Sequence, residues 1–545
     1  MAFANSIHTE PGPDTIFARI RPSNDHAIKH FHEVAESMVF KLLGHQKNFV
    51  RINLDQVQLG RAPGHSQRWV NWSPSINPDL ARLVYTGEFV LYLRPDPPIR
   101  HNKWRIGGVH YIDAFVYERG ETVSDLLLWD KDEPPEEYHE AEFAFDKPSG
   151  ILTLRGRCDP ASKSVILDNC DASNSTRLLN EHSHKLQFGR CEYTFRYEFG
   201  ETSPYEFPFQ QDKTAFFSQR LKIGPPIFWT SATPTISFPK VKDWVIHRNI
   251  ASGGTGDVRA ASKSPPQFAA IKTMVRFDDS SAKVVSHEIK TAVHVRTLLK
   301  NKPCPFILRL IEPKYDRDQE EWDGKSPEQV HIIYTPLCNQ TFFDLVTRRA
   351  AWPEDRLSLL HDAIQGLEWL HFNDLVHRDI KLANLGIVFY PKPRAVILDF
   401  DWMRQGTENI APQQGGAGTP EYMAPEVESH PYNEKVDIWS LGVVAYQMFV
   451  SYNLPWMAGY FGNPWKEDPI YASLPVENDG TLHFDEAWAN RCIDYTIAMG
   501  DLEEGSTTDV RSLIRDMLRW KVQERPSAQD CSRHQCFASR AGNAE

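Results

Sequence analysis

The run His377-Arg378-Asp379-Ile380-Lys381-Leu382-Ala383-Asn384, followed by Asp399-Phe400-Asp401, constrains this chain more than any other feature. A His-Arg-Asp triplet alone arises by chance in roughly a few per cent of chains this long, so the weight lies in what surrounds it. In order along the chain stand a glycine-rich stretch over residues 250–258, Ala269-Ala270-Ile271-Lys272, Glu288, the two runs above, and Ala424-Pro425-Glu426. Five partly independent motifs in a fixed order leave coincidence little room.

In that order the motifs resemble the eukaryotic protein kinases over about residues 241–537. Lys381, two residues after Asp379, resembles the serine/threonine branch. The resemblance implies an α+β, bilobal fold and transfer of the ATP γ-phosphoryl group to a serine or threonine hydroxyl of a protein, with Mg2+. It implies Asp379 as catalytic base, Lys381 on the γ-phosphate and Lys272 on the α and β phosphates, oriented by Glu288. Asn384 and Asp399 would hold magnesium. Ile250, Gly253, Gly254, Gly256, Val258 and Ala270 would surround the nucleotide, and Tyr334 to Leu337 would be the hinge whose backbone binds adenine. Ile333 is expected at the back of that pocket, and Phe400 beneath the helix carrying Glu288.

Elementary chemistry supports these roles. Glycines let backbone N–H groups approach phosphates without an intervening side chain. A transferred phosphoryl carries negative charge that an apolar site would not tolerate, so cations, metal and one aligned carboxylate are the minimum equipment. Two family glycines are replaced, by Ala251 and by Asp401. Asp401 has less backbone freedom but still enters left-handed conformations, so ease of switching is the property in question there. The alternative to an enzyme is a pseudokinase or scaffold; retention of Lys272, Asp379, Asn384 and Asp399 favours the enzyme.

Further motifs are structural or regulatory. Residues 418–426 match the substrate-positioning segment of the family, Arg525 is the expected partner of Glu426, and residues 437–442 resemble the buried helix that anchors the catalytic loop. Arg378 commonly meets an activation-loop phosphate in this family, yet the corresponding position is Gly415. Between Asp401 and Glu426 only Thr407 and Thr419 carry serine or threonine hydroxyls.

Ahead of the kinase-like part, residues 75–200 hold alternating runs at residues 88–93, 141–145 and 191–197 bounded by turns, the pattern of a β-sandwich. This region distantly resembles a forkhead-associated domain, through residues 104–108, Ser124 to Leu128, Tyr138-His139 and residues 171–176. It departs where that family clamps phosphate, with Gly108 and Glu136 in place of an arginine and a serine; a carboxylate beside a dianion repels it. The expected role is intramolecular docking on the kinase. Residues 1–74 are expected to be a partly helical extension, with a helix over residues 28–44, residues 201–240 a proline-rich linker, and residues 538–545 a tail.

The formal net charge of −12 gives no global attraction to nucleic acid or anionic lipid. Eight cysteines without a Cys-x-x-Cys pair fit reduced thiols in the cytoplasm or nucleus, with no structural metal. The first residues lack a secretory signal pattern, and the apolar run near Trp439 is too short to span a bilayer.

Overall fold

The computed structural model describes residues 16–41, 50–52, 87–93, 103–108, 126–129, 140–147, 149–157, 165–198, 206–221, 239–253, 256–318, 320–348, 356–389, 391–412, 418–427, 430–452, 454 and 508–538, with isolated positions between 486 and 497. Gly254, Ser124, Asp125, Glu136, Tyr138, His139 and Gly415 lie outside the described residues. The chain divides into two compact units, residues 1–250 with 259–268, and residues 251–258 with 269–545.

Strand alternation builds the first unit, because period two delivers one set of side chains to one face. Strand Cys191–Tyr197 buries Tyr193, Phe195 and Tyr197 and turns Glu192 and Arg196 outward. It pairs antiparallel with Ile16–Pro22 and with Ser183–Phe188 inside a seven-stranded sheet. A five-stranded sheet centres on Glu140–Phe145, which pairs with Trp104–Gly108 and Leu152–Arg157. One apolar core draws Phe17, Phe89 and Phe195 from the first sheet and Trp104, Phe143 and Leu154 from the second. The Phe17 and Trp104 rings meet edge-on at 5.5 Å, and Phe143 stacks on Phe195 at 6.0 Å.

Three expected boundaries are corrected. The sheet does not begin near residue 75, since Ile16–Pro22 is an inner strand between Gly87–Tyr92 and Cys191–Tyr197. Within this strand Arg19 is neutralised by Glu88 and Glu198. The helix Asp25–Lys41 begins three residues earlier than the expected 28 and packs Phe31 edge-on against Phe89. Nor are residues 201–240 a linker throughout: helix Glu206–Ala215 runs into a π-helical turn, Phe216–Arg220. Pro208 stands in the first turn, where the N–H it lacks would have no intrahelical partner. Phe209, Phe216 and Phe217 are buried in the core, and at about 1.5–3 kcal/mol each that burial outweighs the propensity of the segment.

In the second unit, Gln267–Arg276 pairs antiparallel with Glu328–Thr335, which pairs with Arg309–Tyr315. Within the first unit, Lys240–Val241 pairs antiparallel with the start of strand Trp244–Gly253. Helix Asp279–Asn301 starts at a reciprocal cap between Asp278 and Ser281 and buries Val285, Glu288, Ile289, Ala292, Val295 and Leu299, a single helical face. The remainder is mostly helical, around Arg356–Phe372, Lys435–Phe449 and Thr508–Met517. No helix among the described residues is long and apolar enough to cross a membrane.

Candidate active site

The catalytic loop is held from below by one buried carboxylate. Asp437, on helix Lys435–Phe449, is fully buried. Its oxygens accept the backbone N–H of Arg378 at 2.7 Å and of His377 at 2.8 Å, and one lies 3.0 Å from His371 Nε2. Burial pushes this carboxyl up, but the His371 bond, the nearby histidines and the His377 N–H outweigh it and leave its pKa below the usual value. The anchor holds Arg378 in a left-handed conformation, φ 67°, which orients the next residue, Asp379.

Three donors converge on the Asp379 carboxylate. Lys381 Nζ donates to Oδ2 at 2.7 Å, Asn384 Nδ2 to the same oxygen at 3.0 Å, and Thr419 Oγ1 to Oδ1 at 2.8 Å. Lys381 also donates to Thr419 Oγ1 at 2.9 Å, and Asn384 to the Asp379 carbonyl at 2.8 Å. Thr419 was expected only as part of the substrate-positioning segment. Its approach depends on Gly418, whose φ is +95° and where a Cβ would lie 2.3 Å from the Arg378 carbonyl oxygen. A concavity beside Asp379 is lined by Thr419, Tyr422, Met423, Val427 and Tyr432 among others.

The second cluster centres on Lys272. Its ammonium lies 2.9 Å from Glu288 Oε2, 3.3 Å from Asp399 Oδ1 and 2.6 Å from Asp401 Oδ1. Tyr334 donates its hydroxyl to Glu288 Oε1 at 2.8 Å. Burial pulls the lysine pKa down, yet Glu288, Asp399 and Asp401 together raise it above the ordinary lysine value. Burial pushes the Glu288 carboxyl up against the Lys272 charge, and with Asp401 and Asp399 adding to it the pKa reaches about 8. One ammonium is thus shared by three acids, whose ligand atoms lie within 4.8 Å of one another.

Two expectations at this cluster are corrected. Tyr334, not Ile333, shares a face with Lys272. In the antiparallel register Ala270 faces Tyr334 and Lys272 faces Ile332, so these four share a face, while Ile333 pairs with Ile271 on the other. The Tyr334 ring also meets Phe400 edge-on at 6.0 Å, so its side chain is committed inward and is not a hinge group. Of the residues that follow, Pro336 has no N–H, so Thr335 offers a carbonyl and Leu337 an N–H to the backbone edge here. Second, the left-handed residue of Asp399-Phe400-Asp401 is Asp399, φ 66°, and Asp401 is not among the positive-φ residues. What the missing glycine changes is charge: Asp401 is the acid nearest to Lys272.

The glycine-rich stretch forms the ends of strands Trp244–Gly253 and Gly256–Lys263, with Ile250 exposed and Val258 half-buried. Gly256 has φ +153°, and a Cβ there would lie 2.3 Å from the Thr273 carbonyl oxygen, so close approach of strands demands this glycine. Elsewhere, Arg525 makes two bonds to Glu426, at 2.7 and 2.9 Å, both side chains buried. Arg378 donates to the Trp402 carbonyl at 2.8 Å and to the Tyr432 hydroxyl at 3.2 Å.

The family model for the protein kinase domain matches residues 244–537. Among curated proteins, calcium/calmodulin-dependent protein kinase type 1 of Macrobrachium nipponense is 27% identical over 219 residues, 39% of this chain and 59% of that one. RAC-beta serine/threonine-protein kinase of Rattus norvegicus is 41% identical over 167 residues, 30% of this chain and 32% of that protein. Serine/threonine-protein kinase PAK 1 of Mus musculus is 25% identical over 303 residues, 55% of this chain and 47% of that protein. The chain therefore spans less than two thirds of the length of each of these relatives.

Proposed function

Because the chain belongs to the protein kinase domain family, we propose that it is an ATP-dependent serine/threonine protein kinase in which Asp379 takes the proton of the attacking hydroxyl. The observation that carries this reading is the donor set on Asp379: Lys381, Asn384 and Thr419 fix its carboxylate from three directions. A base held in this way meets an incoming hydroxyl without reorganising, and a positioned base contributes about 10²–10⁴-fold to rate. Lys381, bonded to both Asp379 and Thr419, stands where an ammonium would offset the charge of the moving phosphoryl group. Lys272 would take the α and β phosphates.

Magnesium fits the oxygen donors present, the Asp399 carboxylate and the Asn384 amide oxygen, since hard cations favour such ligands. When bound it would offset the negative charge of the phosphates. Gln340 and Ala383 are uncharged where arginine-selecting kinases carry acids, so no strong preference for arginine ahead of the target residue is expected. Incubating the full chain with a degenerate peptide library, labelled ATP and magnesium tests activity and specificity together. Absence of transfer by the wild type, with nucleotide still bound, would replace this reading by a pseudokinase.

For the N-terminal region we propose a β-sandwich, a degenerate forkhead-associated-like domain whose role is docking in cis. Within the first unit, Asn180 Nδ2 donates to Ser262 Oγ at 2.8 Å, and Ser262 Oγ lies 2.7 Å from His247 Nε2, all three buried. His247 and Ser262 belong to the strands flanking the glycine-rich stretch. In the segment matching the forkhead-associated loop, the Asp171 carbonyl accepts Arg177 Nε and Nη2 at 3.0 and 2.8 Å, and Asp171 Oδ1 accepts the Ser173 N–H. Groups spent on the loop itself favour structure over phosphopeptide capture. The described cysteines are free thiols, in keeping with a reducing compartment, cytoplasm or nucleus.

A further inference from the structure

We infer that Asp401 is a built-in competitor for the nucleotide at Lys272, its carboxylate occupying the ammonium that a phosphate must take. The inference rests on the nucleotide-binding part of the proposed function and deepens it. A lysine ammonium has three donors, and here three carboxylates surround it, Asp401 at 2.6 Å, Glu288 at 2.9 Å and Asp399 at 3.3 Å. A phosphate oxygen that approaches Lys272 competes with these carboxylates for the ammonium, and Asp401 is the nearest of them.

Asp401 is the acid that gives way. Glu288 is the most buried of the three, lies on a long capped helix, and is held by the Tyr334 hydroxyl at 2.8 Å. Asp399 accepts the Asp401 N–H at 3.3 Å and has the most exposed of the three side chains, which suits a metal ligand facing solvent. Asp401 sits in a short segment between Phe400 and Trp402, outside any helix or strand, so a rotation of its side chain breaks no secondary structure. Its charge also repels the polyanionic nucleotide. Both effects weaken binding, and neither exists for a glycine.

Nucleotide affinity, read as the dissociation constant of a fluorescent ADP analogue on the full chain, tests this without any transfer step. Asp401→Asn removes the charge and keeps the shape; Asp401→Gly removes both. Each is expected to tighten binding at least several-fold, in the absence as well as the presence of magnesium. The gain must vanish when Lys272→Met is combined with Asp401→Asn, because the competition is for that ammonium. Unchanged or weaker binding in a folded Asp401→Asn, confirmed by its melting curve, overturns the inference. So does a raised magnesium requirement, which would make Asp401 a metal ligand, and so does a gain that survives Lys272→Met. Failure of the wild type to phosphorylate peptides while these affinity shifts appear would strike the kinase reading alone.

Discussion

The catalytic loop and the lysine pocket contain the same kinds of groups in opposite proportion. At Asp379 one carboxylate receives three donors; at Lys272 one ammonium faces three carboxylates. The first arrangement is complete, so its geometry is fixed before any substrate arrives. The second has too few donors for its acids, and the deficit appears in Glu288, pushed up to about 8 by burial and its acidic neighbours. A surplus of acceptors suits a site that takes up a cationic newcomer, a metal ion or a proton. On the proposed reading, base positioning and nucleotide entry are therefore separable.

The largest expected effect tests the complete cluster. Asp379→Asn keeps the shape and the contacts to Asn384 and Thr419 but removes the base, and should lower kcat by about 10²–10⁴-fold. Its melting temperature should stay close to that of the wild type. Retained turnover would mean that the three donors hold a structural carboxylate and that the contrast between the clusters has no catalytic meaning.

Next in size is a pair with neither surplus. Arg525 and Glu426 match one to one with two bonds, and Arg525 also lies over the Trp439 ring at 5.2 Å. Arg525→Ala strands a buried carboxylate and should cost about 3–5 kcal/mol of stability, measured by denaturant unfolding of the full chain. A cost below about 1 kcal/mol would place the pair with exposed ion pairs, which contribute little.

The difference between the clusters also explains what could be read from the sequence. Lys272 with Glu288, Asp379 with Lys381 and Asn384, and Glu426 with Arg525 were legible because each stands in a motif that resembles the protein kinases, and the resemblance implies its role. Asp401 was legible only as a missing glycine; nothing local states that its carboxylate turns toward Lys272, because that depends on a strand more than a hundred residues away. Tyr334 failed for a different reason. In a strand a phase error of one residue exchanges the two faces, and the consecutive Ile332, Ile333 and Tyr334 carry no alternation to fix the phase. The inner strand Ile16–Pro22 and the helix at residues 206–220 were hidden by arginines and prolines, whose cost is offset by tertiary partners the sequence does not announce.

A buried polar network with no charge sharpens the comparison further. His247, bonded to Ser262, is held neutral, its pKa pulled down by burial to about 3. In the unfolded chain the imidazole protonates near pH 6.5. Between those values the unfolded state binds the extra proton, so the contribution is fully present above pH 6.5 and is lost as pH falls toward 3. At pH 5 the loss should be about 2 kcal/mol. His247→Gln, which does not titrate, should show a smaller fall in melting temperature between pH 7.5 and pH 5 than the wild type. Equal falls would mean that the imidazole is already charged in the fold.

The smallest expected effect concerns the one neutral donor in the lysine pocket. Tyr334→Phe removes the hydroxyl from Glu288 Oε1 while keeping the ring against Phe400. A hydrogen bond to a charged acceptor contributes about 1.5–3 kcal/mol, but with Glu288 pushed up to about 8 the acceptor is largely protonated at pH 7. The loss should then resemble that of a neutral bond, about 0.5–1.5 kcal/mol. Raising the pH through 8 ionises Glu288 and should enlarge the difference between variant and wild type, since the charged acceptor values the hydroxyl more. Unfolding curves of both proteins at pH 7 and pH 9 measure this directly. A difference that is already large at pH 7 and does not grow would mean that Lys272 keeps Glu288 ionised throughout.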